Sequence, residues 1–143
     1  MNSIQVKKEF NASLNHIFDL LSKHSTYNIV FAPAKIVRVQ DAVTPEYPDG
    51  LGSIRRVGLG AIQPLQEQIT AFQFNQRIEY KIIHNILVEH HLGILEFEAL
   101  SQTKTLVTYT IELKMRVPFL TKRLLQQLSV TIQRGFSRLE KSL

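Results

Sequence analysis

Two oppositely charged residues stand in apolar surroundings near the middle of the chain. Arg55 and Glu67 each lie in a segment that alternates apolar with polar residues, as half-buried strands do. If the turn between the two segments is centred near Ala61, Arg55 faces Glu67 across the strands on an apolar surface. We therefore predict a partly enclosed ion pair. Such a pair either fixes the strand register or offers a polar contact to a small molecule, and a pairing shifted by one residue would place Arg56 there instead.

Three titratable side chains share strand faces with aliphatic residues. His84 follows Tyr80 at period-two spacing, and Tyr109 lies among aliphatic residues in a later segment. An imidazole on the inner face is a candidate general base if a substrate proton lies within reach. The alternative for His84 is a hydrogen-bonded histidine in the core or at the end of a strand. Tyr80 and Tyr109 either fill the core or offer a hydroxyl group to a ligand.

Small residues flank an aromatic side chain on another strand. Gly93 and Ala99 alternate onto the same face as Phe97. Because these two residues leave space beside the ring, they predict a cavity there. We expect Met115, Phe119 and the loop from Thr44 to Gly52 to form its entrance, since loops and adaptable methionines suit an opening.

Other kinds of site find little support in the sequence. His90 and His91 are adjacent on an extended segment, so they point to opposite faces, and neither has a third ligand at a suitable spacing. His16 and His24 lie two helical turns apart, too far to share an ion, and are expected at the surface. There is no cysteine and no phosphate-binding loop, dinucleotide motif or nucleophile elbow. We expect no metal and no cofactor.

Composition predicts one ordinary domain. The chain has 143 residues, 44% of them hydrophobic, and a net charge of +5, within the usual range for a single domain. The basic residues are scattered along the chain without a nucleic-acid-binding motif, so no specific nucleic acid is expected. No segment has the length of a transmembrane helix, and the first ten residues do not resemble a signal peptide. A cytoplasmic protein is expected, and the oligomeric state stays open.

Periodicity predicts a strand, a helical stretch, six more strands and a long final helix. Asn11 is the predicted cap of the first helix, which should run to near His24. Ser22 to Asn28 forms either a second short helical piece or an irregular turn, which Ala32-Pro33 ends. The connections between the later strands are short, so neighbouring strands should pair antiparallel. The predicted strands are Ile4–Phe10, Ile36–Val43, Ser53–Val57, Leu65–Phe72, Arg77–His84, Gly93–Leu100 and Thr105–Met115, and the last helix is Pro118–Leu143.

Three short motifs carry a resemblance to a known superfamily. Gly52-Ser53-Ile54-Arg55-Arg56-Val57, Glu67-Gln68-Ile69 and Arg77-Ile78-Glu79-Tyr80-Lys81-Ile82 resemble the Gly-x-x-Arg, Glu-x-Ile/Val and Arg-Ile/Leu-x-Tyr motifs of bacterial polyketide cyclase/dehydrase-like proteins. These proteins belong to the SRPBCC superfamily, with the START and birch-pollen allergen-like domains. The resemblance implies an α+β helix-grip fold over residues 1–143, in which a curved antiparallel sheet of about seven strands wraps around the C-terminal helix.

The resemblance and the apolar faces favour one function and leave two others open. The first is binding of a hydrophobic small molecule, such as a lipid, a polyketide-like or an isoprenoid compound, between the sheet and the last helix. The second is a cyclase or dehydrase-like enzyme that uses His84, Tyr80 or Tyr109 for proton transfer and Arg55 to stabilise an oxyanion. The third is a basic interaction module for a partner protein or a membrane surface.

Overall fold

A computed structural model of the chain describes residues 2–58 and 65–143. It has a seven-stranded antiparallel sheet and a long C-terminal helix, with short helices after the first strand. This α+β architecture confirms the predicted fold class. The elements are β1 (Ser3–Phe10), α1 (Leu14–Leu21), a 3₁₀ helix (His24–Thr26), α2 (Tyr27–Val30), β2 (Lys35–Gln40), β3 (Ile54–Gly58), β4 (Leu65–Gln73), β5 (Arg77–Ile83), β6 (Val88–Ser101), β7 (Lys104–Met115) and α3 (Pro118–Ser142).

The sheet is built almost entirely from strands that are neighbours in sequence. Its order is β1-β7-β6-β5-β4-β3-β2, so β1 alone pairs with a strand distant in sequence, namely β7. Between β3 and β4 the register places Arg55 opposite Glu67, as the alternating pattern predicted. The turn expected near Ala61 lies outside the described residues.

The helix boundaries differ from the sequence prediction at α1. Ser13, not Asn11, caps this helix, because its side chain accepts a hydrogen bond from the backbone N–H of His16. The helix ends at Leu21, and the 3₁₀ helix and α2 follow it. Asn11 contacts the other end of the chain instead, where its side-chain amide donates to Glu140 Oε1 at 2.8 Å.

Strand lengths differ most at β2 and β6. β2 ends at Gln40, three residues before the predicted end, and residues 41–53 form the longest connection between strands without a helix that the structure describes. β6 begins at Val88, five residues before Gly93. This earlier start brings His91 into the sheet.

α3 begins at Pro118, as predicted, and packs its apolar side chains against β1, β7 and α2. Spacing of three or four residues predicts an apolar stripe along this helix, made of Leu120, Leu124, Leu128, Ile132, Phe136, Leu139 and Leu143. Ile132, Phe136 and Leu139 of this stripe are buried. Leu143 is 44% exposed, which corrects its place in that stripe, because it lies beyond the end of the helix. The other predicted members of the stripe are half-buried, namely Leu120, Leu124 and Leu128.

A close contact between α2 and α3 depends on a glycine. A Cβ atom on Gly135 would collide with the backbone carbonyl group of Val30. The missing side chain therefore lets the two helices touch through their backbones, which holds the carboxyl half of α3 against α2.

No helix in the described part of the chain is both long enough and apolar enough to cross a bilayer.

Candidate functional site

Arg55 lies inside the protein, between the sheet and the short helices. It is 1% exposed, and its Nε atom donates to Glu67 Oε1 at 2.9 Å. The guanidinium carbon lies 4.4 Å from the ring centroid of Tyr27 and 4.6 Å from that of Tyr80, so both rings contact the charge. Although burial opposes the charge, Glu67 and the surrounding phenols raise the pKa of Arg55. The predicted ion pair is therefore present, and it is enclosed more deeply than expected.

Three phenols surround this pair. The hydroxyl groups of Tyr80 and Tyr109 hydrogen-bond each other, and Tyr27 donates to the backbone carbonyl group of Leu21 at 2.7 Å. Burial raises the pKa of Tyr27 to about 12, and it also raises the pKa values of Tyr80 and Tyr109. All three therefore stay protonated near neutral pH, where they act as hydrogen-bond donors and acceptors and not as bases.

His91 is the imidazole on the inner face of the sheet. It is 7% exposed, and its ring centroid lies 5.4 Å from that of Tyr80. Its Nδ1 atom accepts a hydrogen bond from the backbone N–H of Ile82 at 2.9 Å, so the neutral ring carries its proton on Nε2. Burial lowers the pKa of His91 to about 4, with Glu67 acting in the opposite direction. Side chains two residues apart on a strand share a face. Because Gly93 was predicted on the inner face, extending the strand by two residues towards the amino terminus would have predicted His91 there as well.

His84, the predicted inward imidazole, is exposed. β5 ends at Ile83, and His84 has a φ angle of 55°. This left-handed backbone conformation interrupts the alternation of strand side chains. The prediction that His84 lies on the inner face is therefore wrong.

His24 is buried, which corrects the expectation of a surface residue. It is 3% exposed, and its Nε2 atom lies 3.0 Å from Ser53 Oγ. Asp49 accepts a hydrogen bond from the backbone N–H of His24 at 2.8 Å. Burial, assisted by the positive charge of Arg55, lowers the pKa of His24 to about 4. These contacts join the 3₁₀ helix to the 41–53 connection, and because Ser53 is also fully buried, they form a structural network without access for a substrate.

The space predicted beside Phe97 is filled. The ring of Tyr80 occupies the position where a Cβ atom of Gly93 would lie. Ala99 is exposed and lines no cavity. Phe97 itself is 9% exposed and packs edge-to-face against Phe18, with ring centroids 5.0 Å apart. Phe97 therefore belongs to the packed core at this position.

Residues of the inner face are less completely covered at the end where α3 begins. Val57, Met115 and Leu128 are half-buried and pack against the edge of the core. Ile82 is also half-buried, and the side chain of Glu67 keeps 12% of its surface exposed. Towards the other end of α3, in contrast, Ile132, Phe136 and Leu139 are buried. We call this half-covered set the open groove; its members are Val57, Glu67, Ile82, Met115, Leu124 and Leu128.

The structure places the predicted site residues in different parts of the molecule. The structure brings Arg55, Glu67, Tyr80 and Tyr109 together in one buried network. It places Phe97 in the core, Met115 at the groove and His84 outside the inner face. Phe119 is 72% exposed on the first turn of α3. The sequence did not predict Tyr27 or His91 as members of the network.

In residues 2–58 and 65–143, no three histidine, aspartate or glutamate side chains gather as metal ligands would.

Solved structures resemble the chain over nearly its whole length. A START superfamily protein from Mycobacterium smegmatis matches 98% of this chain and 95% of its own, with 13% identity and a TM-score of 0.78. Norcoclaurine synthase from Thalictrum flavum, in complex with dopamine and hydroxybenzaldehyde, matches 98% of this chain and 84% of its own, with 12% identity and a TM-score of 0.71. The Aha1 dimer from Colwellia psychrerythraea matches 93% and 92%, with 12% identity and a TM-score of 0.68.

No protein-family model matches the sequence, and no curated protein matches it. At the low identities of the solved structures, the likeness concerns the fold alone. The more specific resemblance to the cyclase/dehydrase-like branch stays a prediction. The chain has the helix-grip fold that START-type proteins share, as the order of its elements predicted.

Proposed function

We propose that this protein binds a hydrophobic small molecule with one polar end in the open groove. The observation that carries the proposal is the incomplete burial of aliphatic side chains that face inwards. Leu128 lies between Leu125 and Ile132 on α3, yet it is half-buried where those two are buried. Leaving such side chains in water costs free energy that an apolar ligand would recover.

The polar end of the ligand has one suitable neighbour. Glu67 uses Oε1 for Arg55 and retains exposed surface beside the groove. A carboxylate accepts hydrogen bonds only, so it suits a ligand hydroxyl or amine. Arg55 itself holds the carboxylate in place from inside the protein. Affinity would come from the apolar walls, and orientation from Glu67.

A fluorescent ligand tests the groove directly. The probe is a dansyl-labelled fatty acid, whose emission rises on transfer from water to an apolar site. We expect saturable binding that Leu128→Trp abolishes, because the indole ring would fill the groove. The matched control is Leu100→Trp, since Leu100 is 43% exposed near the hairpin between β6 and β7, and it should bind the probe as the parent does.

The thermal stability of Leu128→Trp distinguishes a groove from a filled core. A groove accepts the larger side chain with a loss below about 1 kcal/mol, whereas overpacking of a filled core costs about 1 to 3 kcal/mol. A large loss of stability, or unchanged binding in Leu128→Trp, would contradict the proposal. If the proposal holds, native mass spectrometry of protein purified from its host would identify any retained ligand.

The enzymatic alternative loses the base that the sequence predicted for it. His84 is exposed, and the phenols of Tyr80 and Tyr109 stay protonated near neutral pH. His91 is buried beside Tyr80. A cyclase-like reaction would therefore need a different proton acceptor from the ones predicted, and binding is the function that the groove supports best.

A further inference from the structure

The positive charge of the protein is concentrated in one part of the chain. Residues 113–139 contain six lysine and arginine residues and no aspartate or glutamate, out of 17 basic and 12 acidic residues in total. The rest of the chain therefore holds 11 basic and 12 acidic residues and is nearly neutral. The basic residues are spread along the sequence, but the acidic residues that would balance them are absent from this segment, which consists mainly of α3.

Three large apolar side chains are exposed near the amino end of the same helix. Phe119 is 72% exposed on the first turn of α3, and Ile86 and Leu87 are 81% and 51% exposed between β5 and β6. Isolated exposed hydrophobic residues are normal, but adjoining ones indicate an interaction surface.

Two hydrogen bonds hold the segments that carry these residues together. The backbone N–H of Arg116 donates to the carbonyl oxygen of Leu87 at 2.9 Å. The Nε atom of Arg116 donates to the carbonyl oxygen of Ile86 at 2.6 Å. The loop between β5 and β6 and the start of α3 therefore form one end of the molecule, and both present apolar side chains to water.

Basic side chains adjoin Phe119 on α3. Lys122 and Arg123 are exposed and lie three and four residues after Phe119, so they share its face of the helix. An open depression continues along this face, lined by Arg123, Val130 and Arg134 together with polar residues. The surface thus combines apolar side chains at its tip with cationic groups directly behind them.

We propose that this end of the protein docks onto a membrane surface that contains anionic phospholipids. Phe119, Ile86 and Leu87 enter the boundary between headgroups and acyl chains, while Lys122 and Arg123 contact lipid phosphates. Aromatic and aliphatic side chains partition into that boundary, and each nearby basic residue adds electrostatic attraction to an anionic leaflet. The docking surface is defined by its own residues and does not rest on the proposed ligand.

The combination of groups favours a lipid surface over a nucleic acid. Both partners attract cations through phosphates. A nucleic acid backbone gives little benefit to exposed aliphatic side chains such as Ile86 and Leu87, whereas a bilayer removes them from water. Dependence on the apolar residues is therefore the feature that separates the two partners.

Vesicle sedimentation tests the proposal with the full chain. The probes are vesicles of phosphatidylcholine alone and of equal parts phosphatidylcholine and phosphatidylglycerol. We expect binding to the anionic vesicles only, and a loss of affinity on addition of salt. Lys122→Gln/Arg123→Gln should weaken binding about 30-fold, at about one kilocalorie for each basic residue near the surface. Ile86→Ser/Phe119→Ser should weaken it about tenfold or more, because two apolar side chains leave the interface.

The matched control removes the same charge elsewhere. Lys7→Gln/Lys104→Gln neutralises two exposed lysines on β1 and at the start of β7, and it should change vesicle affinity by no more than about twofold. An equal loss in this control would overturn the proposal, since net charge alone would then explain binding. Full binding by Ile86→Ser/Phe119→Ser, equal binding to neutral vesicles, or tighter binding to a DNA duplex would overturn it as well. The proposal would also be overturned if the parent protein binds no vesicle and instead forms a dimer in sedimentation velocity. That dimer would use the same surface if Ile86→Ser/Phe119→Ser dissociates it.

Discussion

Arg55 places a full positive charge inside the protein, and its neighbours stabilise that charge in several ways. Glu67 supplies the opposite charge, and the rings of Tyr27 and Tyr80 both pack against the guanidinium group. An isolated buried charge is costly, whereas a paired one is roughly neutral against an apolar replacement. The pair therefore specifies how β3 and β4 align, more than it adds stability.

Removal of the carboxylate should be strongly destabilising. In Glu67→Gln the buried guanidinium group keeps its charge and loses its counter-ion, so we expect a loss of about 3 to 5 kcal/mol in the free energy of unfolding. Chemical denaturation measures this loss. The double variant Arg55→Met/Glu67→Leu should be more stable than Glu67→Gln, because no charge remains inside. If Glu67→Gln is as stable as the parent protein, the charge of Arg55 is compensated elsewhere.

Two buried histidines should make the protein sensitive to mild acid. The pKa values of His24 and His91 are lowered from 6.5 to about 4. Between these pH values the unfolded chain binds protons that the folded chain excludes, so stability falls as the pH falls through this window and is unaffected above it. Each histidine would lower the free energy of unfolding by up to about 3 kcal/mol near pH 4.

Asparagine substitutions separate the two contributions. His91→Asn keeps an acceptor near the backbone N–H of Ile82 but cannot titrate, so its stability should depend less steeply on pH between 6.5 and 4. His16→Asn is the control, because His16 is exposed on α1, and its pH profile should match that of the parent. Denaturation midpoints measured across this range provide the test, and an unchanged profile in His91→Asn would show that the pKa of His91 is the same in the folded and unfolded states.

The residues that the sequence predicted well and poorly differ in a physical way. The partnership of Arg55 with Glu67 followed from strand alternation, since both residues lie inside regular β-structure. The prediction that His84 faces inwards was wrong, because side chains alternate between faces only as far as the strand continues. β5 ends at Ile83, one residue before His84. His91 was missed because the strand was predicted to begin at the apolar residues from Gly93 onwards. β6 begins earlier, at Val88, and therefore includes His91.

At the scale of elements, the contact between α2 and α3 reverses an expectation from helix propensity. Alanine is favoured over glycine inside a helix by about 1 kcal/mol. At position 135, however, a Cβ atom meets the carbonyl group of Val30, and backbone atoms cannot move aside as a flexible side chain would. We expect Gly135→Ala to destabilise the protein by about 1 to 3 kcal/mol, the usual cost of overpacking.

Thermal denaturation of Gly135→Ala tests this contact. Ser137→Ala is the control on the same helix, because Ser137 is exposed and the change should shift stability by less than about 0.5 kcal/mol. A stabilised Gly135→Ala would mean that propensity outweighs the contact. The sequence predicted the extent of α3 from its periodicity, but it could not predict this contact, because α2 is only one turn long and lies far away in the chain.

At the scale of the whole molecule, the two ends of the helix-grip differ. The carboxyl half of α3 buries Ile132, Phe136 and Leu139 against the rest of the core. The amino half buries Thr121 and Leu125 but leaves Leu124 and Leu128 only partly covered. The alternating strands and the long amphipathic helix predicted the arrangement of layers. They did not predict where the interior is filled, because the rings of Tyr27 and Tyr80 converge there from distant segments.

This difference between the ends predicts a gradient of local stability along one continuous helix. Segments with fewer buried contacts open at lower free-energy cost, and their amide hydrogens exchange faster. Residues 119–128 should therefore exchange faster than residues 129–142, apart from the last turn, which frays at the chain end. Hydrogen exchange followed by mass spectrometry resolves the two halves.

The dansyl-labelled fatty acid should slow exchange in residues 119–128 and change the carboxyl half little, because the ligand covers only the open groove. Uniform exchange along α3 would mean that both halves are equally well packed, and uniform slowing by the probe would mean that it stabilises the whole fold and not the groove.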